Sequence, residues 1–213
     1  MASYPPQSIS ERSLDSALEI AKLCKFATII HTEGNALTTV HAPLTVQEGG
    51  DGRTIVGHLA HNNPLHEVLL AGPVLVRLIF LPTEGYVSPA CYAEKARSGK
   101  VVPTWNYVAA HIDGELTLAS EPGALLRTLA LQTADYEGAT GGEWEVDDAP
   151  SEYIDALARA IVAIRFVPKN GLAIEKLSQN KPDDLVAITD WLETSAFPAR
   201  SMAYWMKRQQ DKP

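Results

Sequence analysis

Phe26-Ala27-Thr28-Ile29-Ile30-His31, Glu33-Gly34-Asn35 and Ala36-Leu37-Thr38-Thr39-Val40-His41 follow one another almost without a break. The first and last segments are β-branched and strand-like, and the middle one is a turn. Together, 26–41 reads as a hairpin. The same pattern recurs on either side. Gly49-Gly50-Asp51-Gly52 joins Leu44-Thr45-Val46 to Thr54-Ile55-Val56-Gly57-His58 as a second hairpin. Asp113-Gly114, a favoured two-residue turn, separates a strand over 103–111 from one over 115–118. A final strand pair is predicted at 161–167 and 172–177.

Between these lie two further strands and several helices. The apolar run from Val74 to Leu81 reads as a buried strand, and Tyr86-Val87-Ser88 as a short separate one. Helical spacing covers 10–24, capped by Ser10 or Ser13. A short helix starts at Pro64 behind an Asn63 cap and stops before Gly72. Further helices are predicted at 124–136, 151–160 and 182–194, the last with Asp183 and Asp184 favouring its positive end. The acidic, Gly-containing stretch 138–150 reads as an exposed linker. Strands that fall in sequence-adjacent hairpins predict an antiparallel barrel with helical decoration rather than an alternating parallel sheet.

Composition narrows the function. The 213 residues suit one domain, taken here as 1–197 with a tail at 198–213. Twenty-six acids against 18 bases give a net charge of −8, which lacks the electrostatic footprint of direct nucleic-acid binding. No apolar run approaches the roughly 20 residues that span a bilayer. Met-Ala-Ser-Tyr-Pro-Pro shows no signal-peptide pattern, and neither Cys24 nor Cys91 belongs to a CxxC pair. The expectation is a cytoplasmic protein with buried free thiols, no membrane association and no metal.

The chemistry-bearing residues form four clusters. Five of the six histidines fall between 31 and 66. Among them, Thr39-Val40-His41 and His58-Leu59-Ala60, followed by Asn62 and Asn63, supply hydroxyl, imidazole and amide donors suited to an anion. His58, His61 and His66 lack a carboxylate or thiolate partner at zinc-ligand spacing, and strand-end histidines bonded to backbone are the plainer reading. Gly85-Tyr86-Val87-Ser88-Pro89 and Val102-Pro103-Thr104-Trp105-Asn106-Tyr107 place aromatics beside hydrogen-bonding groups, as a planar heterocycle requires. Core or interface packing would also account for them. Lys176-Leu177-Ser178-Gln179-Asn180 adds amides able to read a ring edge, or alternatively to cap a helix. No acid, base or nucleophile stands out, and the catalytic residues stay unassigned.

Gly57-His58-Leu59-Ala60 with Asn63-Pro64, Tyr86-Val87-Ser88-Pro89, the Val102–Tyr107 string and Lys176–Asn180, in this order, resemble the PaiB-like proteins, described as FMN-binding negative transcriptional regulators. The resemblance runs from about residue 24 to about 193. It implies an α+β fold: a split antiparallel β-barrel of the FMN-binding, pyridoxamine-phosphate-oxidase-like type with peripheral helices. It also implies a homodimer with FMN at the subunit interface. By this likeness Thr39, Val40, His41, His58, Leu59, Ala60, Asn62 and Asn63 face the phosphate and ribityl chain. Trp105, Asn106, Ser178, Gln179 and Asn180 approach the isoalloxazine ring. The implied role is regulatory or redox-sensing. A flavin-dependent oxidoreductase using NAD(P)H is the alternative, ahead of a DNA-contacting repressor. Ala90-Cys91-Tyr92 and Leu172-Ala173-Ile174-Glu175 depart from the family pattern of Ser-Trp-Tyr and Gly-Lys-Trp.

Overall fold

The computed structural model describes residues 5–49 and 52–194. Gly50 and Asp51 of the expected turn, and the expected tail at 198–213, lie outside the described residues. The elements run β1 (Ser10–Glu11), α1 (Leu14–Leu23), β2 (Phe26–Glu33), β3 (Ala36–Gly49), β4 (Gly52–Ala60), α2 (Pro64–Leu70), β5 (Val74–Val87), α3 (Glu94–Arg97), β6 (Thr104–Leu118), α4 (Ala124–Thr140), α5 (Ser151–Ala158), β7 (Ile161–Lys176) and α6 (Leu185–Thr194). The strands form one sheet in the order β1-β7-β4-β3-β2-β5-β6, and β7 also pairs with β6, which closes the sheet into a barrel. The chain divides into two compact units, Met1–Pro82 with Val108–Ile174, and Thr83–Tyr107 with Glu175–Pro213.

In the first unit, the 26–41 hairpin forms as expected. β2 and β3 pair antiparallel from Phe26↔Pro43 to Glu33↔Ala36, and Gly34 takes the positive φ of 56° that the two-residue loop needs. β3 continues into the second hairpin, pairing Leu44↔Gly57 through Gly49↔Gly52 with β4. The barrel interior is filled by Ile29, Val40, Leu44, Ile55, Leu59, Leu78, Phe80, Ile112, Leu116, Ile164 and Phe166. α1 joins this core through Ala17, Leu18, Ile20 and Ala21, and Ser13, not Ser10, caps it by accepting from Ser16 N–H at 3.2 Å. Ser10 instead begins β1, pairing with Ile174.

Three sequence expectations are corrected. Asp113-Gly114 makes no hairpin: β6 runs straight through it. A Cβ on Gly114 would collide with the Val167 carbonyl oxygen and lie 2.5 Å from Phe166 Cζ. This glycine serves a close approach within the barrel, not a turn. The pair expected at 161–167 and 172–177 is likewise one strand, β7, where Gly171 lets α1 in, with Leu14 Cα 2.6 Å from its virtual Cβ. The Val74–Leu81 run is not buried on both faces. It alternates, with Val76, Leu78 and Phe80 inside and Leu75 and Leu81 exposed, and it continues through Tyr86-Val87 as β5.

The second unit has its own small core of Val87, Cys91, Tyr92 and Ile188, flanked by Val101, Trp191 and Leu192. Trp191 Nε1–H donates to the Tyr86 carbonyl at 3.1 Å, and the Ala93 N–H donates to Asp184 Oδ1 at 2.9 Å. Burial pushes the Cys91 thiol up from its ordinary value, keeping it protonated at neutral pH. Cys24, in the first unit, is half-buried rather than buried.

Gly114→Ala forces the new methyl group into the Val167 carbonyl and the Phe166 ring. We expect it to destabilise the protein by about 1–3 kcal/mol, the usual range for overpacking, read as a lower urea midpoint at unchanged m-value.

Candidate functional site

Alternation along β2, β3 and β5 gives this part of the barrel two unlike faces. Ala27, Ile29, Val40, Ala42, Val76 and Leu78 point inward and are buried. Thr28, Ile30, Thr39, His41, Arg77 and Ile79 point outward, and the register aligns them in rows. Thr28 pairs with His41 and Ile79, and Ile30 pairs with Thr39 and Arg77. The same outer face carries Phe26 at 59% exposure, Leu37 at 67%, Leu75 at 67% and Leu81 at 51%. Four large apolar side chains left to water on one sheet face exceed what scattered surface residues explain.

Polar groups punctuate this face. His41 Nδ1 lies 3.0 Å from Thr28 Oγ1, and its ring lies nearly parallel to Phe26, with centroids 6.1 Å apart. Arg77 grips Asp113 of β6 with two hydrogen bonds of 2.7 and 2.8 Å. Those hydrogen bonds hold the Asp113 carboxyl below its ordinary 3.8. Burial, and secondarily the Arg77 charge, lowers the neighbouring His111 imidazole from its ordinary 6.5.

α4 covers the adjoining part of the outer surface, over β3 and β4. Asp135 receives Lys25 Nζ at 2.6 Å and Thr45 Oγ1 at 3.0 Å. Gln132, almost wholly buried at 3% exposure, places Oε1 2.8 Å from His58 Nδ1. Its Nε2 donates to the Pro43 carbonyl and the Tyr136 hydroxyl, both at 2.8 Å. Thr39, His41 and His58 therefore share the outer face where the helical cover gives way to the open apolar surface. This gives one hydroxyl and two imidazoles on the same side, a donor set that suits the phosphate and polyol tail of a nucleotide.

The other expected residues of this unit divide by strand parity. Val40 and Leu59 face the core, Ala60 and Asn62 are exposed at the end of β4, and Asn63 spends its side-chain oxygen capping α2, accepting from Leu65 N–H at 3.0 Å. His31 and His66 bond to backbone carbonyls through Nδ1, at 3.1 and 2.8 Å.

In the second unit, Asn106 and Ser178 are both buried and bond to each other side chain to side chain, at 2.9 and 3.1 Å. Ser178 holds a left-handed φ of 62°, a conformation that costs a non-glycine residue free energy. Lys176 Nζ donates to Thr104 Oγ1 at 2.7 Å. Gln179 turns back on its own loop, accepting from Leu177 N–H at 2.9 Å and donating to the Glu175 carbonyl. Asn180 is exposed. Trp105 is 45% exposed and meets Tyr86 edge-on at 6.1 Å between centroids. The unit thus offers an open aromatic surface beside a locked polar turn.

Thr28 lies beside His41, Gln132 beside His58 and Tyr136 beside Gln132, neighbours that sequence reasoning missed. Arg77 in the middle of an apolar run was the available sign that one side of β5 faces outward.

The closed antiparallel barrel is a split-barrel fold, and the family match makes it a flavin-binding one. The chain belongs to the family described as "Putative FMN-binding domain", matched over residues 3–169, and FMN is the cofactor that membership assigns. It is 26% identical over 207 residues to protease synthase and sporulation protein PAI 2 of Bacillus subtilis, covering 96% of each chain, which bears out the PaiB-like resemblance. It is 34% identical over 143 residues to an uncharacterized protein of Aspergillus fumigatus, a match spanning about half of each, 53% of this chain and 55% of the relative. The FAD and heme binding protein of Mycobacterium smegmatis shares the fold at a TM-score of 0.56 and 13% identity, over 84% of this chain and 78% of that one. Among the described residues no helix is long and apolar enough to cross a membrane.

The lowered imidazole of His111 sets a direction with pH. As pH falls below about 6.5, the unfolded chain takes up this proton before the folded one does, so stability drops until the lower folded value is passed. We expect the urea midpoint to fall between pH 7 and pH 5, and to fall less in His111→Gln. An equal fall in both proteins would remove His111 from the account.

Proposed function

We propose that this chain works as a homodimeric FMN protein with a regulatory, redox-sensing role. The observation that carries the dimer is the open outer face of β2, β3 and β5, where Phe26, Leu37, Leu75 and Leu81 stand in water beside Thr39 and His41. A second copy on this face would bury those side chains, with the flavin-tail donors at its margin. Thr39, His41 and His58 then hold the phosphate and ribityl chain through hydroxyl and imidazole groups. The second unit, taken by itself, offers Trp105 as an apolar surface for an aromatic ring, and its Asn106–Ser178 pair fixes the turn that carries Gln179 and Asn180.

Bound FMN supplies reversible electron uptake. The protein's own contribution is to orient the cofactor, shield it from water and fix the polarity of each donor around it. The regulatory part of the reading is supported by the likeness to the Bacillus protein, whose name is protease synthase and sporulation protein PAI 2. Regulation by direct DNA contact is disfavoured by the net charge of −8. The 1–197 stretch would act as a single flavin-binding module, and cytoplasmic residence suits the free thiols.

Titration with FMN should quench flavin fluorescence saturably, with riboflavin bound about tenfold or more weakly, the scale of one charge-assisted hydrogen bond. Equal affinity for the two flavins would remove the phosphate pocket. Leu75→Asp, on the open face and away from the donors, should shift the protein from dimer to monomer in sedimentation velocity and weaken FMN binding with it. A monomeric wild type, or a mutant that remains dimeric, would refute this face as the interface.

A further inference from the structure

We propose that Gln132 is the positioning residue for His58, fixing the imidazole so that Nε2 is the atom offered to the flavin tail; the ligand half of this rests on the placing of His58 just given. The Pro43 carbonyl can only accept, so the amide atom 2.8 Å from it must be the NH₂ group. The amide oxygen therefore faces His58 Nδ1, also at 2.8 Å. An oxygen there can only accept, so Nδ1 must carry the hydrogen. In the neutral ring, Nε2 is then the lone-pair atom, and in the charged ring it is a second donor. Among the described residues, Nε2 has no hydrogen-bond partner in the protein.

Neighbouring buried groups hold the same amide in place. Asp135, anchored by Lys25, accepts from the Thr45 hydroxyl at 3.0 Å. Burial raises the Tyr136 hydroxyl above its ordinary value and keeps it protonated. The oxygen of that hydroxyl accepts from Gln132 Nε2 at 2.8 Å. Gln132 sits at 3% exposure, where its amide cannot turn over to water. The buried amide delivers a single neutral tautomer at the edge of the open face, where a ribityl hydroxyl would donate to Nε2.

The test uses the full-length protein labelled with ¹⁵N-histidine and freed of FMN. At alkaline pH, the His58 nitrogens should show protonated Nδ1 and bare Nε2. Gln132→Leu should let the ring drift towards the commoner Nε2–H form and weaken FMN about tenfold, matching His58→Ala. Gln132→Glu keeps an oxygen facing Nδ1 while losing the donor to Pro43. It should keep the tautomer and bind FMN more tightly than Gln132→Leu, although both variants lose thermal stability. If the role were only structural, the two variants would behave alike. Protonated Nε2 in the wild type, or a tautomer unmoved in Gln132→Leu, overturns the proposal. Unaltered FMN affinity in His58→Ala removes His58 from the flavin and ends the ligand half, while the tautomer result is judged separately.

Discussion

Pairing between β6 and β7 closes the sheet, and closure gives every strand an inside and an outside. The inside must be filled, so β2, β3 and β5 spend every second residue on Ile29, Val40, Leu78 and their neighbours. The outside is what remains, and strand parity settles which side chains reach it. Thr39 and His41 can serve a ligand because Val40 between them serves the core. The adjacency of core and outward-facing residues follows directly from a period of two.

The outer surface of the first unit is divided. α4 takes the part over β3 and β4, bringing a buried amide, a tyrosine and an aspartate against Pro43, Thr45 and His58. The part over β2 and β5 carries exposed leucines and the Arg77–Asp113 pair. The donor set lies where one treatment gives way to the other. On the covered side donor polarity is fixed by buried hydrogen bonds. On the open side Thr39 and His41 meet solvent.

Much of the barrel could be read from the chain because hairpin chemistry is local. The 26–41 turn, the Asn63 cap and Pro64 each act on residues a few positions away. The same local rules failed at Gly114 and Gly171. There glycine answers to Phe166, Val167 and α1, partners that only the closed barrel brings near. The Val74–Leu81 run misled for a related reason: leucines outside a barrel look like leucines inside one. The histidine and hydroxyl donors were legible from residue type. Gln132 was not, since nothing near it on its own helix marks it out, and its bond to His58 spans 74 positions. The C-terminal polar run was legible as a cluster, yet its internal bonding, with Gln179 folded onto its own loop, depends on backbone angles that composition does not carry.

Ser178 sits in a left-handed conformation that favours glycine, held there by a buried exchange of hydrogen bonds with Asn106. Neither residue is free to drift alone. Losing Asn106 strands a buried hydroxyl on an unfavourable backbone, and losing the hydroxyl strands a buried amide. Along a lineage, the two positions should change as a linked pair. The easiest route out is glycine at 178, which relieves the backbone first and then releases 106 to vary.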